Sequence, residues 1–231
     1  MLIESVVAEA FATNCYVVAT GAGSECVVID PGIGIASRLE KLLADKRLRP
    51  VAVMLTHGHF DHTFSVVPVC GARGISAYVH PGDRGQLVDP FSGLPPQFKA
   101  MAGGLEWAEP DDVEELPQTG PLNLAGIDFT VDHAPGHTPG SVLFRASDDE
   151  ADYCLSGDVL FAGSIGRTDF PGGDNAAMER SLADKILPLD DATVVLPGHG
   201  PATTIGAERR GNPFLRRIVD SGHMEAPTRG L

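Results

Sequence analysis

Six consecutive positions, His57-Gly58-His59-Phe60-Asp61-His62, hold three of the eight histidines of this 231-residue chain, with a carboxylate among them. Imidazoles crowded this closely repel one another when protonated and pack poorly when neutral, so any fold that gathers them must supply something to hold them together. On an extended chain, residues two apart point the same way, so His57 and His59 address one point, and Gly58 lets the backbone turn between them. Asp61 and His62 are neighbours and cannot both face that point. The economical arrangement is two metal ions, one taking His57 and His59, the other Asp61 and His62.

Two protein ligands per ion are too few. A catalytic zinc-type site takes about three, and leaves a position open for water. Further ligands are therefore expected downstream, each at the end of a strand. "HAPGHTPGS" supplies His137, "LSGD" ends a strand at Asp158, and "VLPGHG" ends another at His199. A carboxylate has two oxygens, so Asp158 can bridge two ions. His133 shares the loop region with His137, but its place on the preceding strand implies a structural role. His80 and His223 have no evident partners and are read as structural.

The rest of the chain is organised to bring such strand ends together. Leu2–Ala8 reads as a strand, and "NCYVVAT" and "ECVVID" flank a "GAGS" turn as a hairpin. Between Ile35 and Lys46, apolar Ala36, Leu39, Leu42 and Leu43 repeat at helical spacing. The apolar strand "VAVMLT" leads directly into His57. A short helix over 65–72 and the strand "ISAYVH" follow. Residues 81–120 are rich in Pro, Gly and acids and read as an irregular lobe over a cleft, with short helices. Strands resume with "IDFTVDHA", "GSVLFRA" and "DYCLSGD", then a helix over 175–186 capped by Asp174 or Asn175, the strand "ATVVLPGHG", and a last helix from about Ala207. Strands alternating with amphipathic helices imply a layered α/β protein. One domain over 1–215 is expected, followed by a polar tail over 216–231.

Composition removes several function classes. Thirty-one acidic against 17 basic residues give a formal charge of −14, which opposes a nucleic-acid groove. No apolar run is long enough to span a bilayer. Cys15, Cys26, Cys70 and Cys154 are scattered in apolar stretches and read as buried free thiols. With no basic flank and apolar run at the start, the expectation is a reduced, cytoplasmic protein.

HxHxDH, then GHTPGS, then SGD, then GHG, in this order and spacing, resembles the metallo-β-lactamase fold superfamily over nearly the whole chain. The resemblance implies an αββα sandwich with a dinuclear site at one edge of the sheets. His57, His59 and His137 would hold one ion, Asp61, His62 and His199 the other, and Asp158 would bridge them. Asp30 in "VVIDPG" matches an aspartate that braces the metal loop in that superfamily. Imidazole and carboxylate donors suit zinc first, with iron or manganese as alternatives.

A metal pair about 3.5–4 Å apart can hold one hydroxide and lower the pKa of water towards 7, which suits ester, thioester, lactam or phosphodiester hydrolysis. Asp61 can orient that nucleophile. "GSIGRTDFPGGD" and "GAERRGNPFL" are similar to the compact bacterial glyoxalase II-like hydrolases, which implies a small-molecule thioester such as S-lactoylglutathione. A thiolate leaves without a strong acid, since a free thiol has a pKa of about 8.5. Only 32 residues follow His199, too few for the helical domain with which larger glyoxalase II enzymes hold glutathione, so another thiol carrier is open. Arg167, Arg209 and Arg210 are candidates for binding the substrate's carboxylates. Two alternatives stand beside this reading. One is a persulfide dioxygenase of the same fold, with a single iron on His57 or His59, His137 and Asp158. The other is a non-catalytic metal-binding module. The oligomeric state is left open.

Overall fold

The computed structural model describes residues 1–94 and 107–221. Two six-stranded sheets lie face to face. In the first, strands β1 (Leu2–Val7), β2 (Asn14–Ala19), β3 (Glu25–Ile29), β4 (Arg49–Met54), β5 (Ala77–Val79) and β6 (Val113–Glu115) follow chain order across the sheet. In the second, the order is β14 (Thr203–Thr204), β13 (Val194–Pro197), β10 (Asp152–Gly157), β9 (Val142–Ser147), β8 (Ile127–His133) and β7 (Thr119–Leu124). A two-stranded ribbon, β11 (Leu160–Phe161) with β12 (Ser164–Ile165), follows β10.

The period-2 geometry of strands explains the layering. On β2, Tyr16 and Val18 face the second sheet and pack with Ile29, Met54, Phe129, Phe144 and Leu155. Cys15, Val17 and Ala19 face the other way, against Leu39 and Leu43 of helix α1 (Ala36–Lys46) and Val66 and Val69 of α3 (Val66–Gly71). On the far side, Leu143, Cys154 and Val195 of the second sheet pack against Met178 of α5 (Asn175–Ser181), against the wider turn that continues it (Leu182–Ile186), and against Leu215 of a C-terminal helix. The order is helix, sheet, sheet, helix: the expected αββα sandwich. All four cysteines are free and buried, and Asp174 caps α5 by accepting from the amides of Ala176 and Ala177.

Two segments differ from expectation. Within 81–120, the short helices Pro81–Asp83 and α4 (Arg84–Val88) form, but Val113–Glu115 is a regular edge strand paired in parallel with β5, and Thr119 already begins β7. Edge strands tolerate polar, acid-rich sequence, which is why this stretch reads as irregular; residues 95–106 of the segment lie outside the described residues. At the C-terminus, the helices α6 (Ile205–Gly211) and α7 (Pro213–Asp220) carry the fold past 216, because Ile218 is buried in the core beside Leu215. The remainder of the expected tail, 222–231, lies outside the described residues, and His223 with it.

Candidate metal centre

The C-terminal ends of β4, β8, β10 and β13 lie along one edge of the sandwich, and each delivers part of one cluster. β4 ends at Met54 and runs through Leu55 and Thr56 into His57. His59 is extended and begins α2 (Phe60–Thr63), a single helical turn that carries Asp61 and His62. That turn lets adjacent residues face one centre from a different direction than His57 and His59. β8 leads to His137, β10 to Asp158, and β13 to His199.

The ligand atoms of His57, His59 and His137 lie within 4.8 Å of one another, as do those of Asp61, His62 and His199. Asp158 stands between the two trios: its Oδ2 is 3.5 Å from His137 Nε2 and 3.6 Å from His199 Nε2, and its Oδ1 is 3.4 Å from His62 Nε2. The seven residues that the sequence singles out as metal ligands thus converge at one place. A third grouping, Asp30 with His57 and His62, also has the spacing for an ion. Asp30, however, already accepts from the Thr56 amide at 2.8 Å, the Thr56 hydroxyl at 2.6 Å and His62 Nδ1 at 2.9 Å, so it acts as a brace.

Those outer contacts determine the chemistry. Nδ1–H of His62 donates to Asp30, that of His137 to the Arg167 carbonyl at 2.8 Å, and that of His199 to the Phe11 carbonyl at 3.0 Å. The Thr56 hydroxyl donates to Asp30, so towards His57 Nδ1, 3.1 Å away, its oxygen accepts. With Nδ1–H committed outward, each of these rings turns its Nε2 inward. His57 Nε2, His137 Nε2 and Asp158 Oδ1 are buried with no hydrogen-bond partner, and the Nε2 atoms of His62 and His199 face one another at 3.2 Å. Buried lone pairs aimed at a common point are costly unless a cation sits among them. The donor set, three imidazoles on one side and two imidazoles with a carboxylate on the other, fits a pair of transition-metal ions.

Protonation follows the same division. Burial is the main force lowering the pKa values of His57 and His59, and neighbouring imidazoles add to it; His59 falls to about 3. Burial also works against a charged His62, but Asp158, Asp61 and Asp30 together outweigh it and raise its pKa. Burial opposes ionisation of Asp158 and Asp61 as well, yet His62 and its neighbours hold both below the usual carboxylate range. Close packing enforces the geometry: a Cβ on Gly198 would lie 2.2 Å from Asp158 Oδ1 and 2.7 Å from His62 Cε1.

A cleft of about 510 Å³ opens over the cluster. His59, Asp61, His137, Asp158 and His199 form its floor, and Phe11, Phe60, Leu94, Phe161, Ile165 and Phe170 line its walls. Arg167 is on its rim, stacked over Phe170 with 3.6 Å from guanidinium to ring centroid and paired with Asp169 at 2.7 Å. Arg209 and Arg210 are elsewhere. Arg209 on α6 donates to the carbonyls of Leu187 and Leu189 and pairs with Asp191; Arg210 is exposed, 3.9 Å from Asp191. Neither is among the described residues that line the cleft; arginine pairs give no local signal that separates a helix-tethering role from a substrate-binding one.

His80, read as having no partner, stacks on His133 with ring centroids 4.0 Å apart, and its Nδ1 accepts from the Gly82 amide. Sequence reasoning also missed Thr56, Asn14 and Thr13. The Asn14 side chain donates to the carbonyls of Pro197 and Gly200, and its amide to Gly198, which holds the His199 loop; the Thr13 hydroxyl donates to Asp61 at 3.3 Å. These partners are remote in sequence, and nothing local announces them.

The family model described as the metallo-beta-lactamase superfamily matches residues 8–199. The chain belongs to this superfamily. Among the superfamily's members, an uncharacterized Mycobacterium tuberculosis protein, Rv2581c, is 49% identical over 222 residues, covering 94% of this chain and 99% of its own length. The hydroxyacylglutathione hydrolase GloC of Haemophilus influenzae is 38% identical over 217 residues, covering 93% and 98%. Of the superfamily's solved structures, the BLEG-1 B3 metallo-beta-lactamase superposes with a TM-score of 0.79 at 38% identity, covering 93% of this chain and 99% of that one. A di-iron-bound form of TTHA1623 superposes with a TM-score of 0.75 at 40% identity, covering 92% and 100%.

Proposed function

We propose that this superfamily member is a dinuclear metallo-hydrolase of small-molecule thioesters. The observation that carries the reading is Asp158 set between the two trios, with its own Oδ1 and the inward nitrogens of His57 and His137 buried and without a hydrogen-bond partner. His57, His59 and His137 would hold one ion, Asp61, His62 and His199 a second, and Asp158 would join them. Zinc is the first candidate and iron or manganese the alternatives; the di-iron form of a relative 40% identical supports a two-ion site. Bound there, the ions supply Lewis acidity towards a carbonyl and acidify water enough to give a nucleophile at neutral pH.

The chain's own residues do the rest. Asp61, steadied by Thr13, faces the cleft and can orient the attacking water and take up its proton. The phenylalanine walls exclude bulk water and hold the apolar part of the substrate. Arg167 stands where a carboxylate at the far end of an acyl-thiol would reach it. Among the described wall residues, Arg167 and Ser164 are the polar side chains outside the ligand set, so the cleft offers a leaving group no strong acid. A thiolate needs none. The relation to a hydroxyacylglutathione hydrolase supports the same substrate class. Among the described residues no helix is long and apolar enough to cross a membrane, in keeping with a diffusible substrate; a cytoplasmic location belongs to the same proposal.

The test is metal analysis of the purified chain together with three parallel assays: S-lactoylglutathione with thiol detection, nitrocefin, and oxygen uptake with glutathione persulfide. Two ions per chain and preferential thioester cleavage are expected. A single iron with robust oxygen uptake would replace this reading with a dioxygenase, and dominant nitrocefin turnover with a lactamase.

A further inference from the structure

The loop that carries His57 and His59 and the loop that carries His137 are joined by one buried carboxylate that belongs to neither. Asp83, in the short helix after β5, is fully buried. Its Oδ2 accepts from the Gly58 amide at 2.8 Å and from the Thr138 hydroxyl at 2.6 Å, and its Oδ1 accepts from the Gly140 amide at 2.7 Å. Gly58 lies between the two histidines of one loop, and Thr138 directly follows the histidine of the other.

The backbone leaves room for this junction and for nothing else. A Cβ on Gly140 would lie 2.6 Å from Asp83 Cγ, one on Gly58 would lie 3.0 Å from the Asp83 carbonyl and 2.8 Å from Gln86 Cβ, and one on Gly82 would lie 3.0 Å from Gly140 N. Three segments therefore meet at backbone distance around a carboxylate whose acceptors are all engaged by the two ligand loops. No hydrogen bond joins the second trio to Asp83; His62 is held by Asp30 and His199 by the Phe11 carbonyl.

We infer that Asp83 is the positioning residue of the three-histidine half of the centre: its carboxylate sets the spacing between His57–His59 and His137, and so sets the metal affinity of that half alone. Asparagine in its place keeps the shape but turns a donor toward a donor, breaking at least one of the three hydrogen bonds. Outer partners of metal ligands typically contribute about 10- to 100-fold in metal affinity.

This inference rests on the metal-centre reading but not on the substrate, so the experiment is cobalt(II) titration of the metal-stripped full chain, followed by absorbance. The wild type is expected to bind in two steps. With His199→Ala, which disables the second trio, adding Asp83→Asn should weaken the remaining site about 10- to 100-fold and alter its visible spectrum. With His137→Ala, which disables the first trio, adding Asp83→Asn should leave the remaining affinity unchanged. Near-UV circular dichroism checks folding; if Asp83→Asn does not fold, Thr138→Val removes one of the same bonds and should give a smaller loss on the first trio only. Equal losses in both backgrounds, or no loss in either, would overturn the positioning role while leaving the two-ion centre in place. A wild-type chain that takes up no cobalt would overturn both.

Discussion

The two halves of the candidate metal centre solve the same problem differently. In the metal-free protein the half built from Asp61, His62 and His199 compensates itself. His62 and His199 lie against Asp61 and Asp158, with His199 Nε2 3.3 Å from Asp61 Oδ2, and both imidazoles have raised pKa values, although burial opposes each. The half built from His57, His59 and His137 has no carboxylate of its own. Two of its three inward nitrogens are orphaned, and burial pushes His57 and His59 towards neutrality. Each half reaches the cleft with two residues, His59 and His137 from one and Asp61 and His199 from the other, and keeps one histidine buried beneath, His57 and His62. A trio without internal charge compensation must be held from outside, and the Asp83 junction, the Thr56 hydroxyl and the Arg167 carbonyl do so.

The largest effect expected from this contrast is on turnover. Asp61→Ala should lower kcat for thioester cleavage about a hundred- to ten-thousandfold with an unchanged near-UV spectrum; retained turnover would remove the chemical asymmetry between the halves. Next comes metal removal. Ligands bound at about a thousand times their Kd contribute about 4 kcal/mol, so chelation should lower the melting temperature by roughly 10 °C in a chain of this size. A shift of a degree or less would mean that the orphaned nitrogens are not waiting for a cation. Gly198→Ala strikes the point where the second half touches Asp158. The added methyl has no room beside Asp158 Oδ1, so a loss of about 1–3 kcal/mol is expected in denaturant unfolding.

The smallest effect is the pH dependence of the metal-free protein, and there the halves oppose one another. His59 has its pKa lowered from 6.5 to about 3, chiefly by burial. The unfolded chain takes up that proton below pH 6.5 and the native chain does not, so stability falls as pH drops from 6.5 towards 3. His62 runs the other way: with a raised folded pKa, its contribution is fully present below pH 6.5 and is lost as pH rises through the folded value. His59→Gln should flatten the acid limb of the stability curve and leave the alkaline limb as it was. An unchanged acid limb would show that burial does not govern His59.

Much of this was legible in the chain because metal ligands must be particular residue types and must sit where strands end. His137, Asp158 and His199 each follow an apolar strand by a residue or a few, so they stand out without coordinates. The Asp30 brace was legible only through the family resemblance. Asp83, Thr56, Asn14 and Thr13 were not legible, since each acts on a backbone group or side chain made near only by folding; Asn14 reaches Pro197 and Gly200 across more than 180 residues. For Arg209 and Arg210 the sequence is silent for the converse reason. A guanidinium in a sequence gives no sign whether it faces a cleft or, as Arg209 does, ties a helix to the carbonyls of Leu187 and Leu189.

By itself, the order of residues determined the layers and the inventory of donors. Period-2 strands with both faces apolar must lie between other layers, and histidines in such numbers need a cation. Only the tertiary structure decided which nitrogen of each ring turns inward, which half of the centre carries its own compensating charge, and which carboxylate couples the two histidine loops. Those outcomes depend on hydrogen-bond partners contributed by distant segments. Such partners are chosen by packing in three dimensions, and no local pattern of side chains encodes them.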